Sequence, residues 1–204
     1  MKKLITITAA FAFVGTATAD DMAKKDAPKA PVAKDAKDAK PVAKVAAKPA
    51  PPKFEAPKPP AELTEMGKLM AGNWKCSGKA MMDPAAGMIE FKGMTIKSTL
   101  DLDKFWIKNE MAGQMGPMKM KGVEYITFDA SAKKWQRVSV DNTGGWETNT
   151  STDGKKWDGD MRMMGMSAKT KANVEIAAKE FKVTAEMSPD GKKWMTGFEM
   201  ACKK

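Results

Sequence analysis

Beyond residue 72 apolar and polar positions alternate with a period of two. Trp74, Cys76, Gly78 and Ala80 alternate with Lys75, Ser77 and Lys79. Met94, Ile96, Ser98 and Leu100 alternate with Thr95, Lys97 and Thr99. Phe181, Val183, Ala185 and Met187 alternate with Glu180, Lys182, Thr184 and Glu186, and Trp194, Thr196, Phe198, Met200 and Cys202 form a last row. Alternation of this kind puts one side of a segment in a core and the other in water, as in antiparallel strands. Ahead of the strands, Leu63, Met66, Leu69 and Met70 recur at helical spacing, and Gly72 supplies a stop.

Turn signals divide the alternating region: Asp83-Pro84, Gly113 to Pro117, Asp129 to Lys133, Asn142 to Gly145, Asp153-Gly154, Gly165, and Ser188 to Gly191. They predict about ten strands, over 73–82, 88–100, 105–112, 118–128, 134–141, 146–152, 156–164, 170–177, 180–187 and 193–202. Short connections make neighbours pair as hairpins. So many sequential strands exceed a flat sheet, so the expected fold is all-β: an antiparallel up-and-down barrel of about ten strands, preceded by a short helix.

Three of the turns run from Asp through a Lys pair to Trp: Asp129 to Trp135, Asp153 to Trp157 and Asp190 to Trp194. Asp is expected to bond local backbone, Lys to stay in water and Trp to return to the core. With Ser151 and Ser188, two of these turns resemble the Asp-box of sialidases. Each is one residue short between Asp and Gly, however, and their spacing does not fit propeller blades.

The first 62 residues are different in kind. Met1-Lys2-Lys3, an almost uncharged run over 4–15 and the small residues Ala17-Thr18-Ala19 read as a secretory signal peptide over 1–19, cleaved before Asp20. The apolar run is short of the about 20 residues a membrane helix needs, and no later run is longer. No Cys follows the cleavage position to carry a lipid. Residues 20–62 read as a disordered Ala/Lys/Pro-rich linker, with too little apolar surface to offset its ordering entropy. Fully extended, it spans about 130 Å. Its Lys residues allow weak contact with anionic surfaces, but they alternate with Asp and Ala, which equally describes a solvated tail. The remaining domain, 63–204, is long enough to bury roughly two thirds of its unfolded surface.

The chain carries a formal charge of +10. Of this, residues 20–62 hold +3 and residues 63–204 hold +5. Arg137 and Arg162 are the only arginines. That charge is too thin for a nucleic-acid interface, and export argues against such a partner. A periplasmic or secreted location follows from the signal.

The chain contains 0 His. This excludes a Ser-His-Asp triad, a Cys-His pair, a zincin helix and His-ligated haem built from this chain. Asp101 with Asp103 and Asp158 with Asp160 are same-face pairs that read as turn acids. No Walker or dinucleotide glycine pattern fits. No catalytic constellation is visible and no cofactor is implied, so the chain reads as non-enzymatic.

The two cysteines, Cys76 and Cys202, sit on the apolar rows of the first and last strands. In a closed barrel of even strand number these strands pair antiparallel, and the side chains meet across the seam. Export and the matching faces favour a disulfide over two buried thiols.

Methionine is the other compositional signal. Residues 63–204 hold seventeen Met against fourteen Leu, Ile and Val together. One cluster, Met111, Met115, Met118 and Met120, has the soft thioethers that suit Cu(I) in an exported protein. The plainer reading is that Met replaces aliphatics in core and cavity walls.

Several short motifs occur in a consistent order: Leu69-x2-Gly72-x-Trp74-x-Cys76-x-Gly78 after a short helix, Phe128-Asp129, Val140-Asp141-Asn142-x-Gly144-Gly145, Asp158-Gly-Asp160, and a closing Asp-Gly hairpin. In these the chain resembles a bacterial family of exported lipocalin-like barrels of unknown function, with the Gly-x-Trp opening of the related nitrobindin-type calycin barrels. The resemblance spans about 63–204 and implies a ten-stranded barrel with an apolar interior. Nitrobindin-type haem binding does not carry over, because its iron ligand is His.

The functional expectation is an exported barrel that binds a small apolar ligand. Candidate cavity-lining residues are Trp74, Met94, Ile96, Phe181, Phe198 and Met200. The alternatives are a Met-rich Cu(I)-binding protein and a ligand-free structural domain.

Overall fold

The computed structural model describes residues 55–83 and 87–204. The expected signal peptide (1–19) and residues 20–54 of the expected linker lie outside the described residues. One helix, α1 (Ala61–Met70), precedes ten strands: β1 (Gly72–Asp83), β2 (Gly87–Asp101), β3 (Trp106–Met115), β4 (Met118–Asp129), β5 (Lys134–Asp141), β6 (Trp146–Ser151), β7 (Lys156–Met163), β8 (Met166–Ile176), β9 (Glu180–Ser188) and β10 (Met195–Lys203). Every strand pairs antiparallel with its neighbours in sequence, and β1 pairs with β10, so the sheet closes into an up-and-down barrel. No helix among the described residues is long and apolar enough to cross a membrane.

Closure is set at the β1–β10 seam. The register runs from Lys75 opposite Lys203 to Ala80 opposite Phe198, and Cys76 falls directly opposite Cys202. The two cysteines form a disulfide, with Cα atoms 4.0 Å apart. Gly78 lies in the same ladder, and a Cβ there would collide with the carbonyl oxygen of Glu199. Only glycine admits so close an approach. On the other side of β1, Cys76 pairs with Met94 but Ser77 pairs with Lys92. Gly93 is the extra residue of this bulge and takes φ 75°, a left-handed conformation that glycine adopts at no steric cost.

Helix α1 caps one end of the barrel. It buries Leu63, Gly67 and Met70; of the expected helical row Met66 is half-buried and Leu69 is 41% exposed. Leu63 and Met70 pack with Ile107, Ile126, Trp135 and Trp157. The last helical carbonyls, which have no partner within the helix, are taken up from outside it. Trp74 Nε1 donates to Met70 O at 2.7 Å and Lys204 Nζ to Leu69 O at 3.0 Å. Lys204 Nζ also stands 4.5 Å from the centroid of the Trp74 ring.

Three features depart from the sequence expectation. The turn expected over Gly113–Pro117 shrinks to Gly116-Pro117, because β3 runs on until Met115 pairs with Met118. The β7–β8 link shrinks to Met164-Gly165, with φ values of 51° and 84°. Two successive positive φ angles match the twist of a tight hairpin, so both ladders extend. The last apolar row is also broken. A bulge between Thr196 and Phe198 shifts the register of β10. Phe198, Met200 and Cys202 keep the inward phase, while Trp194 does not enter the core and instead carries Lys171 Nζ 4.2 Å from its ring centroid. Trp135 and Trp157, the equivalents at the other two Asp-to-Trp turns, are buried as expected.

The aspartates of those turns act through the backbone. Asp153 Oδ1 accepts from the amides of Lys155 (2.7 Å) and Lys156 (2.8 Å). Asp190 Oδ1 accepts from Lys192 (2.8 Å) and Lys193 (2.9 Å). Asp129 Oδ1 accepts from the Ser131 hydroxyl at 2.6 Å and from the amides of Ser131 and Ala132. These bonds hold all three carboxyls below their ordinary value of 3.8.

Two outcomes are expected. Replacing both cysteines (Cys76→Ala with Cys202→Ala) releases a loop of 126 residues' separation, and urea unfolding should show a loss of roughly 2–5 kcal/mol. An unchanged midpoint would mean that the seam closes without the bridge. The second concerns pH. A carboxyl whose folded pKa is depressed stabilises the fold above its unfolded value, and that contribution is lost as pH falls through the folded value. The stability advantage of the parent over Asp153→Asn/Asp190→Asn should therefore be constant above about pH 5 and fade below 3.8. A difference that stays level down to pH 2, about two units below that value, would contradict the turn bonds.

Candidate ligand-binding cavity

The inward positions of the ten strands do not fill the barrel. They leave a cavity of about 290 Å3, at the lower edge of the roughly 300–1,000 Å3 typical of small-molecule sites. Met66 and Met70 of α1 line its closed end. At the opposite end the lining reaches the surface, where Trp146 is 42% and Val140 52% exposed. Among the described residues twelve methionines line the cavity. They come from α1 and seven strands, so clusters scattered along the sequence converge in one place.

Of the candidate residues from the sequence, Met94, Ile96, Phe181, Phe198 and Met200 line this cavity. Trp74 does not belong to the wall. It packs edge-on against Phe181, with ring centroids 4.9 Å apart, and its indole N–H is committed to the helix end. Of the thioether cluster, Met111, Met115 and Met120 line the cavity and Met118 does not. Phe91 and Phe198 stack at 5.7 Å on the apolar side.

The polar groups of the lining are concentrated on β3 to β8, among further apolar side chains. Arg137 is 8% exposed and faces inward from β5. Its Nε and Nη2 donate to Asn149 Oδ1 at 2.9 and 2.7 Å, and Nη2 also reaches Glu147 Oε1 at 3.3 Å. Glu124 Oε2 lies 3.6 Å from Nε. The guanidinium carbon stands 5.1 Å from the centroid of Trp157. The network continues from Asn149 Nδ2 to Thr170 Oγ1 (2.8 Å) and from Asn109 Nδ2 to Glu124 Oε1 (2.7 Å). Among the described residues Ser98 Oγ and Asn109 Oδ1 are buried without a hydrogen-bond partner. They stand at paired positions of β2 and β3.

Residues 60–204 match a protein family described as "Protein of unknown function (DUF1579)". The chain belongs to this family. A search of curated proteins finds no match. Among solved structures the DUF1579 chain is similar to Rv2717c from M. tuberculosis, at 10% sequence identity and a TM-score of 0.54, over 72% of this chain and 99% of that one. At that identity the likeness is one of fold alone.

The polar network of this DUF1579 barrel escapes the hydrophobic pattern because strand β5 inverts it. Trp135, Arg137 and Ser139 face inward, while Val138 and Val140 face water. The available signal was one of the chain's two arginines on the same phase as a core Trp, with Glu124 two residues from Ile126 on the neighbouring strand. The methionine reading of the sequence needs no such repair, since thioethers take the place of the missing aliphatics along the wall.

Removing the cation while leaving its carboxylates should be costly. Arg137→Met leaves Glu124 and Glu147 facing each other without a counter-charge, and urea unfolding should show a loss of roughly 3–5 kcal/mol. A loss below about 1 kcal/mol, the range of an exposed pair, would mean that water already screens the network.

Proposed function

We propose that this protein is an exported binding module whose barrel holds a small, mostly apolar molecule. The observation that carries the reading is the cavity itself: a partly open space of about 290 Å3, capped by α1 and lined by methionines from most of the barrel. Thioether side chains are apolar, unbranched and polarisable, which suits a wall that receives a guest. A packed, ligand-free core would instead fill this space, since cavities weaken a fold in proportion to their volume. Export, to the periplasm or beyond, is supported by the signal-like N-terminus and by the Cys76–Cys202 disulfide, which persists in oxidising compartments. Copper on Met111, Met115 and Met120 is the second reading, supported by their shared place on the cavity wall.

A titration with the neutral fluorophore N-phenyl-1-naphthylamine tests the first reading. Saturable one-to-one binding is expected. Ala185→Trp, which places an indole in the cavity from β9, should weaken it by about tenfold or more with the barrel still folded by circular dichroism. Binding that ignores this substitution would place the probe elsewhere and defeat the proposal. Native mass spectrometry of protein taken from its own compartment separates the two readings: a retained lipid-like mass favours the first, and retained copper the second.

A further inference from the structure

We infer that the ligand is an amphiphile whose head is a protonated amine, and that the cavity discriminates against fatty carboxylates. This deepens the proposed function and rests on it.

A buried arginine inside a barrel suggests at first a partner for an anion. The charges around Arg137 argue otherwise. Its Nε and Nη2 are already committed to Asn149, Glu147 and Glu124, and Trp157 covers one of its faces. One guanidinium stands among two carboxylates, so the cluster carries a formal charge of −1. The wider lining has the same sign. With the exposed rim included, Lys121, Arg137 and Arg162 share the lining with Glu124, Asp141, Glu147 and Glu186. The interior is therefore net negative in a domain that is net positive outside.

The hydrogen-bonding inventory agrees. Among the described residues the two buried side-chain oxygens without partners, Asn109 Oδ1 and Ser98 Oγ, stand on paired positions beside this cluster. Asn109 is 2% exposed and lines the cavity. Its amide nitrogen is held by Glu124 Oε1 at 2.7 Å, which fixes the orientation and leaves the oxygen as an unsatisfied acceptor. A buried acceptor without a donor is costly, and a ligand head that donates removes that cost. A carboxylate head cannot donate and meets a negative cluster. An alcohol donates without charge. An ammonium group donates and also meets the opposite charge of Glu147, whose side chain stands nearest water of the three ionic groups, at 28% exposed. The tail then lies along the methionine wall toward Met94, Met111 and Met200.

The test is displacement of N-phenyl-1-naphthylamine by decylamine, decanol and decanoate, which share one tail. A unit charge a few ångströms from a net negative cluster changes the binding energy by more than a tenfold affinity ratio represents. Decylamine should therefore displace the probe at about a tenth or less of the decanoate concentration, with decanol between them. Glu147→Gln keeps the shape and an acceptor but removes one negative charge, and should shrink the amine-to-carboxylate ratio by about fivefold or more. Attraction to the outer surface would give the reverse order, because that surface is basic. A ratio below tenfold, or a ratio untouched by Glu147→Gln in a variant that melts like the parent, overturns the inference and leaves the proposed function standing. If the probe binds and Ala185→Trp blocks it, but no decyl compound displaces it, the inference also falls. If the probe does not bind at all, both fall.

Discussion

An up-and-down sheet has two edges, and in this protein each is the other's partner. The pairing of β1 with β10 is the constraint on which the rest depends. An open ten-stranded sheet would leave two rows of unpaired amides and carbonyls, a template for aggregation. Closure removes both rows and creates an inside. It is held by a ladder of six paired positions from Lys75–Lys203 to Ala80–Phe198, by a disulfide within that ladder, and by a glycine where a side chain would collide. The same seam anchors the cap, because Trp74 and Lys204, at the start of β1 and just past β10, bind the last carbonyls of α1. Barrel closure and end closure are thus one arrangement.

Within that enclosure the two sides of the wall are built on different principles. β1, β2, β9 and β10 bring aromatic rings and thioethers that need no partners. The strands opposite add to their thioethers groups that must satisfy one another: Arg137 serves three acceptors, and Asn149 accepts from Arg137 while donating to Thr170. A half-satisfied network would be worse than an apolar wall. Among the described residues the fully buried side-chain atoms left without a partner are the oxygens of Asn109 and Ser98.

The frame of the molecule was legible in the sequence because it follows from local rules. Period-two alternation marks β1, β2 and β9 with the correct face inward, helical spacing marks Leu63 and Met70 on the buried side of α1 though it also included the exposed Leu69, and Asp-Gly turns mark the hairpins. The disulfide was legible too, since even strand number and matching rows place Cys76 against Cys202. Each failure involved a residue whose orientation was decided from a distance. Trp194 points outward because Gly197 is inserted as a bulge, which no periodicity announces. Trp74 lies in the core yet misses the cavity, with its ring packed on Phe181 and its indole bonded to the helix end. Arg137 lies inside because β4 and β6 supply carboxylates and an amide at the same height, a match that appears only once strand register is known.

The methionine wall has a consequence for what such a cavity can recognise. A wall of β-branched residues has a fixed contour, since each side chain has one preferred rotamer, and it selects guests by outline. A thioether has three rotatable bonds and bends at little cost. A lining of this kind behaves as a deformable gasket: it closes around straight, kinked or cyclic hydrocarbon with similar ease. On the proposed binding function, outline would carry little information, and guests would be told apart at the polar end, where the side chains are locked by their bonds to each other. The cavity wall is soft along its thioethers and stiff along its bonded polar groups.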